Sequence, residues 1–287
     1  MSSTVTEPPR AELRRRPAQR MLEAVSAVAP GLRPGLQRLL IRGGYAVVNR
    51  WLDDIQASCM NYGYAPLDGD VTGDDTPERY SHALYAHVAS AAPLAGREVL
   101  EVGCGRGGGA AYVAQRFDVA RLAGVDFSEQ AVRFASEHHR DPRLRFIQGD
   151  AEQLPFPDAS FDAVLNVESS HCYPSVPRFL AEACRVLRPG GALLFADLRM
   201  KDQIDELRDQ IRDAGLRIAE EERITRNVAR ALELDTPRRA DLLRRRVPRP
   251  LRGYVMNFFG MSGSDVHRAL RDGDLEYVRF AAVRPER

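Results

Sequence analysis

The chain has 287 residues, 44% of them hydrophobic and 28% charged, a balance that supports one large domain or one domain with a substantial insertion. A formal net charge of +1 removes any global argument for nucleic acid or a membrane surface as partner. The four cysteines, Cys59, Cys104, Cys172 and Cys184, form no C-x-x-C pair, and no apolar run approaches the roughly 20 residues of a membrane span. Zinc and disulfide frameworks and stable membrane insertion are therefore not expected, and a reducing cytoplasm is the natural setting.

Residues 1–20 are polar, proline-bearing and arginine-rich, and read as a disordered arm. Residues 21–92 read as an N-terminal helical lid segment. Helical patterning over 21–58 is broken at Pro30, Gly31 and Pro34. The stretch Asn61-Tyr-Gly-Tyr64 and an acidic loop to Pro77 follow, and helical patterning resumes at 78–92. Residues 93–287 then alternate strand and helix. Strands are predicted at 98–103, 121–126, 143–148, 161–167, 192–197, 216–223 and 275–283, and helices at 107–117, 128–139, 176–187 and 201–214. Ser128 is placed to cap its helix, and Pro189-Gly190-Gly191 to turn the chain into the fifth strand. Short continuous apolar runs between helices predict a Rossmann-like, doubly wound α/β fold with a mostly parallel seven-stranded sheet. A helical insertion over about 226–274 precedes the last strand. Its first part, residues 226–252, holds nine arginines against Glu233, Asp235 and Asp241, net +6, which reads as a solvated helix face or as a patch for an anion.

The chemistry gathers where strands end, because open α/β sheets bind ligands beyond the carboxyl ends of their strands. The first strand runs into Gly103-Cys-Gly-Arg-Gly-Gly-Gly109, a turn whose backbone N–H groups can meet a ligand closely. Gly103, Gly105 and Gly108 satisfy the dinucleotide pattern G-x-G-x-x-G. Glu101, Gly103, Gly105 and Gly107 equally satisfy E-x-G-x-G-x-G, the pattern of S-adenosylmethionine (SAM) enzymes. Asp126, ending the second strand, suits the ribose hydroxyls of either ligand and leaves the tie intact. Asp150, after the third strand, can accept from an exocyclic adenine amine, which favours SAM. After the fourth strand comes Glu168-Ser-Ser-His-Cys-Tyr-Pro174, which sets His171 beside the cofactor, and the fifth strand ends at Asp197. A carboxylate next to an imidazole fixes its tautomer and stabilises the imidazolium, so His171 is the candidate base and Asp197 its orienter. Glu168, Tyr173, Tyr254, Met256, Phe258 and Phe259 are candidate walls of an apolar acceptor pocket.

With EVGCGRGGG at 101, GVDFS at 124, GDAEQLPFPDASFD at 149 and RVLRPGG at 185, the chain resembles class I SAM-dependent methyltransferases over about residues 60–285. More narrowly, NVESSHCYP at 166, FADLR at 195 and GDLEYVRF at 273 resemble the mycobacterial phthiotriolone/phenolphthiotriolone dimycocerosates O-methyltransferase family, which methylates a hydroxyl on a polyketide-derived lipid. The resemblance implies SAM as cofactor and S-adenosylhomocysteine as product. It implies cofactor contacts at Tyr62, Tyr64, Glu101, Gly103, Cys104, Gly105, Asp126, Phe127, Asp150, Ala151, Glu152 and Asn166. It also implies base and partner roles at His171 and Asp197. A hydrophobic small-molecule acceptor is expected, and no metal, because magnesium-dependent methyltransferases need clustered carboxylates near the acceptor and only Glu168 and Asp197 offer themselves here. A sugar hydroxyl, a carbon or a nitrogen as acceptor stays open, as does a SAM-bound cyclase. The oligomeric state is open too, a homodimer included.

Overall fold

A computed structural model describes residues 58–71 and 74–286. The arm at 1–20 and the first part of the lid, to residue 57, lie outside the described residues. Seven strands form one sheet: β1 (Glu98–Val102), β2 (Arg121–Asp126), β3 (Leu144–Gln148), β4 (Phe161–Val167), β5 (Leu187–Met200), β6 (Arg217–Arg223) and β7 (Leu275–Val283). Their order is β3-β2-β1-β4-β5-β7-β6. The first five are parallel, and β7 runs antiparallel to both β5 and β6. The strand order reverses between β1 and β4, so a crevice opens above their carboxyl ends.

Strand alternation builds a core on each face of this sheet. Val99, Ala163, Leu165 and Leu194 face one way, toward α1 (Arg79–Ala89) and α2 (Gly108–Arg116), where they meet Leu84, Val88 and Val113. Leu100, Val164, Leu193 and Phe195 face the other way. There they pack on α4 (Val176–Val186) and α5 (Ile204–Asp213), through Phe179, Leu180, Leu207 and Ile211. Between α2 and α4 in the chain, α3 (Glu129–His138) begins at Ser128, whose hydroxyl accepts the Ala131 N–H at 3.3 Å.

Two expectations are corrected. The fifth strand is longer than 192–197, because its ladder with β4 begins at Leu187 and its ladder with β7 reaches Met200. Pro189-Gly190-Gly191 lies within it rather than before it, with Gly190 N–H donating to Arg284 O at 2.8 Å. In the described part of the lid segment, residues 58–71 and 74–78 form no helix, and α1 lies within the 78–92 stretch where helical patterning resumes. The insertion is helical, with α6 (Thr225–Arg246), α7 (Arg252–Phe258) and α8 (Asp265–Asp272). Its arginines are not merely a solvated face. Arg239 is buried and donates to the carbonyls of Asn61, Tyr62 and Phe259 at 3.0–3.3 Å, while Asp235 holds its Nε at 2.7 Å. Asn227 pairs both ways with the backbone of Ala65. The insertion therefore clamps residues 61–65 against the sheet edge.

Candidate active site

The glycine turn leaves β1 at the crevice. Gly103 and Cys104 N–H donate to Val125 O at 2.8 and 3.1 Å, stitching the turn to β2. Gly105 has φ +52°, and a Cβ there would meet only Met60 Cε, at 3.9 Å. Its outer face is the open cradle of the turn, as close approach by a ligand requires. The later glycines serve packing instead: a Cβ on Gly109 would lie 1.9 Å from the Tyr85 ring. That ring's hydroxyl donates to Glu101 Oε1 at 2.6 Å. Burial raises the Glu101 carboxyl to about 7. Asp126 receives the Gly105 N–H on Oδ2 and the Ser128 N–H on Oδ1, both at 2.8 Å. Burial raises its pKa, and these two donors pull the other way.

These residues fit the adenosyl and methionyl parts of SAM. Each Asp126 oxygen keeps lone pairs for hydroxyl donors beside the open face of Gly105. Asn166 Oδ1 and Glu101 Oε2 are buried acceptors with no hydrogen-bond partner among the described residues, and an ammonium group would satisfy them. Asn166 Nδ2 itself is held by Val102 O, Ser169 Oγ and Tyr173 Oη at 2.8–3.0 Å. Asp150 closes the next turn, its Oδ1 accepting the Glu152 N–H at 2.9 Å. Phe127 is half-buried after β2, Ala151 packs into the core on the α4 side, and Cys104 is buried beside Gly124.

Several residues stand elsewhere than expected. Glu152 turns to α4, accepting the Ser175 N–H at 2.9 Å. The Tyr64 ring stacks on His87 at 4.3 Å, away from the glycine turn. Tyr62 reaches Glu168 and α7, its N–H donating to Glu168 Oε2 at 2.8 Å and its hydroxyl to Phe258 O at 3.3 Å. The Tyr173 hydroxyl is engaged with Asn166 and Ser169 at the cofactor turn rather than lining an acceptor wall. Phe258 and Phe259 pack with Leu242 and with Met60, the residue above Gly105. Met256 is half-buried in α7, and the Tyr254 side chain lies outside the described residues.

The pair from β4 and β5 meets at short range. His171 sits in a 3-10 turn, Ser170–Cys172, directly after β4. Its Nδ1 is 2.7 Å from Asp197 Oδ1, and its N–H donates to Oδ2 at 2.9 Å. The His171 side chain keeps 23% of its surface while Asp197 has none, so the imidazole can meet an acceptor and its carboxylate cannot meet water. Ser170 Oγ donates to Asp197 Oδ2 at 2.5 Å, and Arg199 Nη1 lies 3.1 Å from the same oxygen. Burial by itself would raise the Asp197 pKa, but the His171 and Arg199 charges outweigh it and hold the carboxyl well below the usual range. Burial disfavours the imidazolium of His171, yet the Cys172 side chain and the Asp197 carboxylate together hold its pKa well above the ordinary 6.5. Glu168 stands between this pair and the lid. Its backbone is left-handed at φ +52°, a strained state for a non-glycine residue. Its Oε2 accepts from both Tyr62 N–H and the Tyr277 hydroxyl, and burial raises its carboxyl to about 7. Met60, Tyr277, Arg199 and Arg239 carry no local sequence signal. They join the site from separate segments.

Residues 100–195 match the family described as Methyltransferase domain. The phthiotriol/phenolphthiotriol dimycocerosates methyltransferase of Mycobacterium tuberculosis is 39% identical over 239 residues, 82% of this chain and 88% of that one. The fatty-acid O-methyltransferase of Mycolicibacterium smegmatis is 38% identical, over 84% and 88% of the two chains. This chain belongs to the methyltransferase family of these relatives. It is a SAM-dependent enzyme. Among solved structures, the cyclase SpnF aligns with a TM-score of 0.68 at 23% identity, over 85% of this chain and 95% of that one. Geranyl diphosphate C-methyltransferase from Streptomyces coelicolor, solved with Mg2+, geranyl diphosphate and S-adenosyl-L-homocysteine, aligns at 0.63 and 19% identity, over 84% and 97%. At these identities the likeness is one of fold. No helix among the described residues is long and apolar enough to cross a membrane.

Proposed function

We propose that this methyltransferase transfers a methyl group to a hydroxyl of a lipid or polyketide-type natural product, with His171 as the base. The observation that carries this reading is the 2.7 Å contact between His171 Nδ1 and Asp197 Oδ1 at the strand ends next to the glycine turn. SAM supplies an electrophilic methyl sulfonium. The chain's task is to align an acceptor oxygen and remove its proton. With Nδ1 held by Asp197, Nε2 is the nitrogen that receives the proton, and the Asp197 carboxylate stabilises the resulting imidazolium. Gly105, Asp126, Asn166 and Glu101 hold the cofactor. Phe258, Phe259 and Met60 exclude water and favour an apolar acceptor. The lipid-like substrates of the two relatives support a lipid-like acceptor, and the fatty-acid enzyme supports O-methylation.

The test is a panel of long-chain hydroxyl, carboxyl and sugar acceptors with labelled SAM, read by S-adenosylhomocysteine release and product NMR. An O-methyl product is expected. A C- or N-methyl product, or conversion of an acceptor without S-adenosylhomocysteine, would overturn the reading. One observation favours a second acceptor class: the raised His171 pKa makes the imidazolium a partner for a carboxylate. The pH profile separates the two. A hydroxyl acceptor needs neutral His171, so its rate rises with pH through the His171 pKa, whereas a carboxylate bound by the imidazolium loses rate over the same range.

A further inference from the structure

We propose that Cys59, Glu78 and His82 form a binding site for a zinc-class divalent cation that ties the cover of the cofactor turn to α1. The sequence gives no metal-site spacing here, since the ligands come from two segments and share no motif. The fold brings the Cys59 sulfur, a Glu78 carboxylate oxygen and a His82 ring nitrogen within 4.8 Å of one another, all of them partly buried. Glu78 and His82 are one helical turn apart at the start of α1, so they project to the same side. A thiolate, an imidazole and one carboxylate form the mixed donor set that zinc accepts, and three protein ligands leave a fourth position for water. Magnesium and calcium, which take oxygen ligands almost alone, fit it poorly.

The residues around the cluster are those a metal centre requires. His82 Nδ1 lies 2.6 Å from Asp74 Oδ2, and the ring stacks on Tyr112 at 4.5 Å. A carboxylate on one nitrogen fixes the ring and makes the other nitrogen the better ligand, the arrangement found behind metal-bound histidines. Glu78 is already oriented, accepting the Cys59 N–H at 2.8 Å and the Ser58 hydroxyl at 2.5 Å, and its oxygens keep lone pairs for an ion. The nearby Arg238 guanidinium is neutralised by two contacts to Asp235, at 2.6 and 2.7 Å. The local balance therefore stays negative. On binding, the Cys59 thiol proton leaves to solvent and a metal–thiolate bond forms.

The position gives the ion a purpose. Ser58 O accepts the Gly108 N–H at 3.3 Å, and the Cys59 sulfur lies 2.7 Å from where a Cβ on Gly108 would stand. Met60 follows above Gly105. An ion on Cys59, Glu78 and His82 would fasten residues 58–60 over the turn without taking part in methyl transfer.

Zinc titration of the full chain after chelator treatment, against a chromophoric competitor, should show one equivalent bound tightly. Cys59→Ser and His82→Ala should each abolish stoichiometric binding, and Asp74→Asn should weaken it by about 10–100-fold. His138→Ala, on an exposed helix end, should change nothing. Cobalt should give a thiolate charge-transfer band that Cys59→Ser removes. Because these variants could fail to fold, thiol labelling of the unmodified chain supplies a second measurement, with zinc slowing modification of Cys59 but not of Cys184. No stoichiometric zinc, zinc retained by the Cys59→Ser, His82→Ala double variant, or zinc that leaves Cys59 labelling unchanged would overturn the site.

Discussion

The cofactor half of the site and its acceptor half are built by different means. On the cofactor side the functional groups are largely backbone: N–H donors of a turn, a glycine whose face is open, and a carboxylate that ends the adjacent strand and holds that turn. Their positions follow once β1 and β2 pair. On the acceptor side the groups are side chains from four separate stretches. Glu168 after β4 binds Tyr62 of the lid and Tyr277 of β7, while Arg239 of the insertion holds the backbone on either side of Tyr62's N–H. The first half has few ways to vary and still bind SAM. On the proposed reading, the second can be re-specified by changing the insertion.

If the halves are separable, substitutions should divide cleanly between them. His171→Ala carries the largest expected effect, lowering turnover by about 10²–10⁴-fold, the usual worth of a positioned base. Cofactor affinity by calorimetry should stay within a small factor. A comparable loss of SAM binding would join the two halves into one. Asp126→Ala should do the reverse, weakening SAM by roughly tenfold to a hundredfold, since hydrogen bonds to a charged group contribute about 1.5–3 kcal/mol. Its rate at saturating cofactor should be nearly kept. Arg239→Ala should raise the KM for the acceptor and lower denaturant stability by about 1–3 kcal/mol, the cost of leaving buried carbonyls without a donor. An unchanged acceptor KM would remove the insertion from acceptor binding.

Two smaller effects concern protons. Asp197 holds the His171 pKa up, so Asp197→Asn should move the midpoint of the pH–rate profile to lower pH as well as slowing the reaction. A midpoint that stays in place would assign the profile to another group. Glu168 titrates near 7 in the folded chain against an ordinary 4.5. The folded state therefore holds its proton more tightly. Its contribution to stability is fully present below 4.5 and is lost as pH rises through about 7. Glu168→Gln should flatten the dependence of the unfolding midpoint on pH across that window, relative to the unmodified chain. An identical slope in both proteins would show that Glu168 does not titrate there.

The seven strands and the helices between them were legible in the sequence, because period-2 burial and buried apolar runs are local properties of a strand. The errors lie where a partner decided the outcome. β5 outgrew its apolar run because β4 pairs with it at Leu187 and β7 pairs with it antiparallel from Ala192 to Met200. Tyr64 went to His87 because residues 64–65 are held both by α1, later in the same lid segment, and by Asn227 of α6, 162 residues beyond Ala65. The arginines of residues 226–252 read as surface charge, yet Arg239 became buried when the carbonyls of 61–62 and the carboxylate of Asp235 surrounded it.

By itself, then, the sequence determined the sheet, the glycine turn, Asp126 at the end of β2, His171 in the turn after β4 and Asp197 in β5, since each depends on neighbours within a strand and its turn. Only the tertiary structure decided which side chains converge around Glu168 and which three donors meet at Cys59, Glu78 and His82. Such convergence depends on how separately folded segments pack and how their side chains are directed, and no spacing along the chain encodes it.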